Sequence, residues 1–155
     1  MKNLEILKDI VVGFIYEYYR LDNGEVVYRG SSEHITKDGE ANLQKVDDFH
    51  RKGNLFRLGK YSWTHHRLTL RRAFGKKVKI RIVTEPSKMS LQDLLLLEKN
   101  KIREKTNVGE CYLNTHDDPF SAFLTNQCKM TGKDAKNYIK EKVDEKKVYS
   151  YSSSV

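Results

Sequence analysis

The stretch from Gly13 to Gly30, GFIYEYYRLDNGEVVYRG, constrains this chain more than any other. Apolar and aromatic residues alternate with polar ones on either side of Asp22-Asn23-Gly24. The pattern predicts a β-hairpin, because glycine can take the positive φ that a tight turn needs. Loop length then decides which side chains meet. A two-residue Asn23-Gly24 loop would send Tyr16 and Tyr28 to opposite faces of the sheet. A three-residue loop pairs Leu21 with Glu25 and Tyr18 with Tyr28. It brings Tyr16, Tyr18 and Tyr28 onto one face, since side chains alternate with period two. A type I turn closed by Gly24 in the left-handed region suits that loop.

The 155 residues are enough for one domain with a real core. Residues 1–9 predict a short helix, followed by strands over 11–20 and 25–31 and a loop from Ser31 to Gly39. Glu40 to Lys52 reads as a helix, with Leu43, Val46, Phe49 and His50 on one side and Gly53 at its end. A second helix is expected over 60–74. Val78 to Ile82 alternates cleanly and predicts the third strand, which Pro86 should close. Ser90 with Asp93 resembles a capping box opening a helix to about Lys105. A short extended piece from Cys111 to Asn114, a turn at Asp117-Asp118-Pro119 and a solvated helix over 133–146 complete the reading, with Ser150 to Ser154 frayed. The fold class is therefore α+β: a small three-stranded antiparallel sheet flanked by helices. Residues 12–115 form its core, and 116–155 are a C-terminal extension of the same domain with an added helix.

Glu98 is the most informative single residue of the third helix. Leu91, Leu94, Leu95 and Ile102 define an apolar stripe, and Glu98 falls on it. A carboxylate there is costly unless it is paired, reaches water at the stripe edge or binds a metal ion.

Charge points to an anionic partner. Lys and Arg number 29 against 21 Asp and Glu, a net charge of +8. From Arg51 to Thr84 there is no acid but there are eleven Lys and Arg, so this segment supplies the basicity. Arg51, Arg67, Arg71 and Arg72, with Lys79 and Arg81 on the outer face of the third strand, are the expected nucleic-acid contacts. Acids at Glu5 and Asp9 make the N-terminus a poor signal peptide. The longest apolar run outside the hairpin, Leu94 to Leu97, cannot span a bilayer, so no membrane partner is expected. Cys111 and Cys128 form no metal-type cluster, which fits an intracellular protein of cytoplasm or nucleus.

Phe14-Ile15-Tyr16 and, twelve residues after Tyr16, Tyr28-Arg29-Gly30 resemble the paired motifs of the GIY-YIG nucleases. Phe14 stands where that family usually has Gly, and Arg29 where it has Ile or Val. The resemblance implies a metal-dependent DNA endonuclease on the same small sheet. Tyr16 would activate the attacking water, directly as general base or by way of the metal ion. Tyr28 would orient the nucleophile or phosphate, and Glu98 would hold one divalent ion, Mg²⁺ or Mn²⁺. Asn114 matches the family's Asn after this helix, where it either serves the site or ties down a turn. The family's helix after the second motif carries an Arg and, four residues on, often a His. His50 matches the His or is a core-edge histidine, and Val46 stands in place of the Arg. Lys45 lies one residue off that register, and Arg51, Arg67 and Arg29 are alternative cations. Double-stranded DNA is the expected partner, with sequence selectivity from residues 31–60, the C-terminal forty residues or a second subunit in a homodimer. The alternative is a non-cleaving nucleic-acid-binding protein on the same fold.

Overall fold

A computed structural model describes residues 4–52, 78–111, 114 and 118–153. A 3-10 turn at Glu5–Lys8 leads into β1 (Ile10–Arg20) and β2 (Val26–Ser32). Next come α1 (Leu43–Lys52), β3 (Val78–Ser90), α2 (Leu91–Thr106), α3 (Pro119–Asn126) and α4 (Gly132–Ser153). The sheet is antiparallel with strand order β2-β1-β3, so the mixed α+β architecture is as expected. The helix expected over 60–74 lies outside the described residues, and with it Arg67, Arg71 and Arg72.

The hairpin reaches its expected register by a different route. Arg20 N–H donates to Glu25 O and Gly24 N–H to Arg20 O, each at 2.9 Å, with Gly24 at φ 73°. The loop therefore holds four residues, not three, and Asn23 Oδ1 braces it by accepting from Glu25 N–H. Tyr19 then faces Val26, but Tyr18 faces Tyr28, so a bulge adds one residue to β2. That extra residue restores the pairing of Tyr16 with Gly30. Tyr16, Tyr18 and Tyr28 share a face with Phe14, and α1 covers it with Val46 and His50.

Pro86 does not close β3. The strand continues to Ser90, and its pairing with β1 shifts register between Gly13–Ser87 and Ile15–Thr84. Pro86 sits at this irregularity on an outer strand, where a missing N–H removes no ladder bond.

Helix α2 packs on the other face of the sheet. Its Leu94 lies so close to Gly13 that a Cβ there would fall 2.6 Å from Leu94 Cδ2. Ser90 caps α2, accepting from Asp93 N–H at 3.1 Å, as the sequence predicts. On its far side Leu95 and Leu96 join Leu7, Phe120, Leu124, Cys128, Ala135 and Ile139 in a second core. Two expectations about the C-terminal part are corrected here. Asp118-Pro119 starts a helix instead of making a turn: Asp118 Oδ1 accepts from Ser121 N–H, and Pro119 takes the first-turn place where its missing N–H costs nothing. The last helix also continues through the serines to Ser153. Asp118 Oδ2 meets the buried Lys99 ammonium at 3.1 Å, tying α3 to α2.

The outer edge of β2 is closed by the chain that follows α2. Val26 N–H donates to Glu110 Oε1, and Val26 O accepts from Cys111 N–H. Asn114 makes both backbone bonds to Arg29, at 3.1 and 2.8 Å. Cys111 has φ 56° and accepts from Asn114 N–H, so the expected extended piece begins as a turn. Cys111 and Cys128 are buried free thiols.

Candidate active site

The tyrosine face gathers the expected catalytic groups. Tyr16 and His50 are almost wholly buried, and Tyr16 Oη lies 2.6 Å from His50 Nε2. The His50 ring packs edge-on to Tyr16, Tyr18 and Tyr28, with centroids 5.7, 5.3 and 5.1 Å away. The three tyrosines are not equivalent. Tyr18 Oη donates to Asp47 Oδ1 at 2.8 Å, which commits it to holding α1 on the sheet. Tyr16 instead opens on a cavity of about 390 Å³ that also reaches His50 and Ser31.

Glycine is required opposite Tyr16. A Cβ at Gly30 would stand 2.5 Å from Tyr16 Oη and 2.7 Å from its Cζ. The ring therefore lies across β2 only because position 30 has no side chain. This gives a physical reason for a glycine two residues after Tyr28.

Glu98 comes to the same place from α2. Its half-buried carboxylate accepts from the Ser31 hydroxyl and from Ser31 N–H, at the open end of β2. Burial pushes its pKa up to about 7, and the Ser31 hydrogen bonds only partly offset this. Burial is also the main reason that the Tyr16 phenol is raised well above its usual value, with Tyr28, Tyr18 and Glu98 adding to it. Tyr28 is raised for the same reason, next by Glu98. The two hydroxyls interact with each other and feel the same carboxylate. Ionising either phenol therefore needs a proton acceptor and a compensating cation. His50 Nε2 is in position to be the acceptor.

Among the described residues no group of three or more His, Cys, Asp or Glu could hold a metal ion. The donor chemistry at Glu98 nevertheless suits Mg²⁺. That ion keeps most of its water and takes one or two carboxylates together with substrate phosphate oxygens. A carboxylate whose burial disfavours its charge, beside a hydroxyl oxygen and with no cation among the causes acting on it, is where a divalent ion would relieve an electrostatic cost.

The other expected residues sit elsewhere. Val46, where the resemblance leads one to look for Arg, is buried against the tyrosines and lines the cavity, while Lys45 is exposed. Arg29 is no substitute. It occupies the opposite face, donating to Glu17 Oε1 at 2.8 Å and to Lys101 O at 2.7 Å. Arg81 shares that face, bound to Glu17 Oε2 at 2.6 Å and lying over the Tyr19 ring. Lys79 is exposed on the same side, paired with Tyr19. Lys79 and Arg81 are thus turned away from Tyr16. Arg51 lies in the last turn of α1. The Asn114 side chain bonds the Arg29 backbone of β2, bracing the strand edge and not a turn. No Lys or Arg lines the cavity among the described residues.

Ser31 was not expected at the site. Nothing in its local sequence marks it, because its role comes from α2 meeting the end of β2. No helix among the described residues is long and apolar enough to cross a membrane. Comparison of the chain with family models, curated proteins and solved structures finds no match.

Proposed function

We propose that this protein is a metal-dependent DNA endonuclease of the GIY-YIG type, hydrolysing phosphodiester bonds. The observation that supports it most is that Tyr16, His50 and Ser31 line one cavity, while Tyr28 and the Ser31-bound Glu98 act electrostatically on the Tyr16 hydroxyl. In this reading Tyr16 takes a proton from the attacking water as it gives its own to His50 Nε2. Tyr28 hydrogen-bonds the nucleophile or a phosphate oxygen and keeps Tyr16 oriented. Glu98, ionised, would hold one Mg²⁺ or Mn²⁺ ion, which when bound neutralises charge on the phosphate and the leaving oxygen. Because Glu98 must be ionised to hold the ion and burial pushes its pKa up to about 7, activity should rise with pH through that range. Double-stranded DNA suits the basic tract, two subunits would serve a two-strand cut, and an intracellular location suits two free buried thiols.

A specific observation favours a second reading. Val46 stands where a phosphate-neutralising Arg is expected, and no Lys or Arg lines the cavity among the described residues. A non-cleaving nucleic-acid-binding protein needs neither. Incubating supercoiled plasmid with the protein and Mg²⁺ separates the two: nicked or linear product supports the nuclease, and intact plasmid removes it. A gel shift in EDTA tests the binding that both readings share. Affinity should fall steeply with salt, and reversing the charges of Arg67 and Arg71 should lower it for all sequences alike. Unchanged binding by that double variant would assign the contact to another surface.

A further inference from the structure

The cavity beside Tyr16 is larger than a phosphate needs, and its described walls are largely apolar and aromatic. Phe49 and His34 line it as a stacked pair, with ring centroids 4.9 Å apart and planes 24° apart. Phe123 of α3 contributes another aromatic ring to its lining. The polar residues there include Asp9, Glu33 and Gln127, and no Lys or Arg lines it among the described residues. Acidic side chains repel a phosphate but accept hydrogen bonds from amino and imino groups, and an amide can both donate and accept. The described walls thus suit a planar aromatic group with N–H donors on its edge. Tyr16 lies on the same lining, so an occupant reaches the cavity within contact distance of the candidate catalytic groups.

We infer that this cavity receives one unpaired nucleobase next to the phosphate addressed by Tyr16, and that the protein prefers DNA with an extrahelical or single-stranded nucleotide at that point. The base would extend the His34–Phe49 stack and present its edge to Gln127 and the two acids. Stacking on aromatic side chains is sequence-tolerant, because every base has a π face. An already unpaired base enters without the cost of being drawn out of the helix. The inference rests on the nucleic-acid part of the proposed function and adds the form of the substrate.

The test uses the full chain with two DNA duplexes in EDTA. One carries a single extrahelical 2-aminopurine, and the other has the same base paired. Binding should be about tenfold tighter to the first, with its fluorescence falling on stacking. In Phe49→Leu, which keeps an apolar side chain and loses the π face, the ratio of the two affinities should approach one and the quenching should disappear. Should that variant fail to fold, Gln127→Ala at the exposed rim carries the test, with a severalfold drop in the ratio. Equal wild-type affinities, or unquenched 2-aminopurine in the bound complex, would overturn the inference. Plasmid cleavage measured alongside keeps the two ideas apart. Cleavage without discrimination leaves the nuclease and removes the base pocket, whereas discrimination and quenching without cleavage leave the pocket and remove the nuclease. Absence of binding to either duplex removes both.

Discussion

At the scale of single residues, Glu98 separates stability from function. Its pKa rises from an ordinary 4.5 to about 7 on folding, chiefly through burial. Between those values Glu98 holds more protons in the folded protein than in the unfolded chain, so its own contribution to stability is fully present below about 4.5 and is lost as pH rises through about 7. At about 1.4 kcal/mol per pH unit, reduced for partial exposure, the decline is about 2–3 kcal/mol. Urea denaturation of Glu98→Gln across this range should lack that decline, while cleavage falls by orders of magnitude. A variant that cuts DNA at the wild-type rate would end the nuclease assignment. Gly30→Ala tests the other half of the site. Its methyl would displace Tyr16 from its place across β2, lowering stability by about 1–3 kcal/mol and turnover far more. Turnover equal to wild type in that variant would mean that the position of the Tyr16 hydroxyl does not matter. Glu98 was legible in the sequence because an acid on a leucine stripe conflicts with its surroundings. Ser31 was not, because a serine on a strand conflicts with nothing.

At the scale of elements, the hairpin shows what local pattern can and cannot specify. The shared face of Tyr16, Tyr18 and Tyr28 follows from alternation with the expected loop, and from the observed loop only together with its bulge. The bulge at Val27 has no side-chain signature, so loop length was misread by one residue while the register further along the strands came out correct. Asp118-Pro119 carried a legible helix start that resembled a turn equally well, and length of the following apolar segment decides between them. The side of each strand residue mattered more than its type: Arg29, a reasonable cation by composition, forms a buried pair with Glu17, which the exposed Arg81 also meets. Glu17→Ala would remove the buried carboxylate paired with Arg29 and leave its guanidinium to the exposed Glu104 and, at longer range, Glu110. It should cost about 3–5 kcal/mol in denaturant melts. A loss below about 1 kcal/mol would show that water reaches Arg29 readily.

At the scale of the whole molecule, the 116–155 segment is not the appendage that the sequence alone implies. It supplies Phe120, Leu124, Cys128, Ala135 and Ile139 to a core that it shares with Leu7 and α2. A chain ending at residue 115 would expose Leu95 and Leu96, and should be aggregated or molten in size-exclusion and near-ultraviolet dichroism measurements. A monomeric, cooperatively folding 1–115 fragment would show that the second core is dispensable. The closed edge of β2 has a consequence for synthesis. Its partners Glu110 and Asn114 follow the residues they bind by 84 and 85 positions. Both tyrosines thus leave the ribosome well before the glutamate, and the hairpin waits with an unpaired edge while α2 is translated. During that interval the nascent chain offers neighbouring nascent chains on the same polysome an edge to pair with, and its candidate site still lacks Glu98.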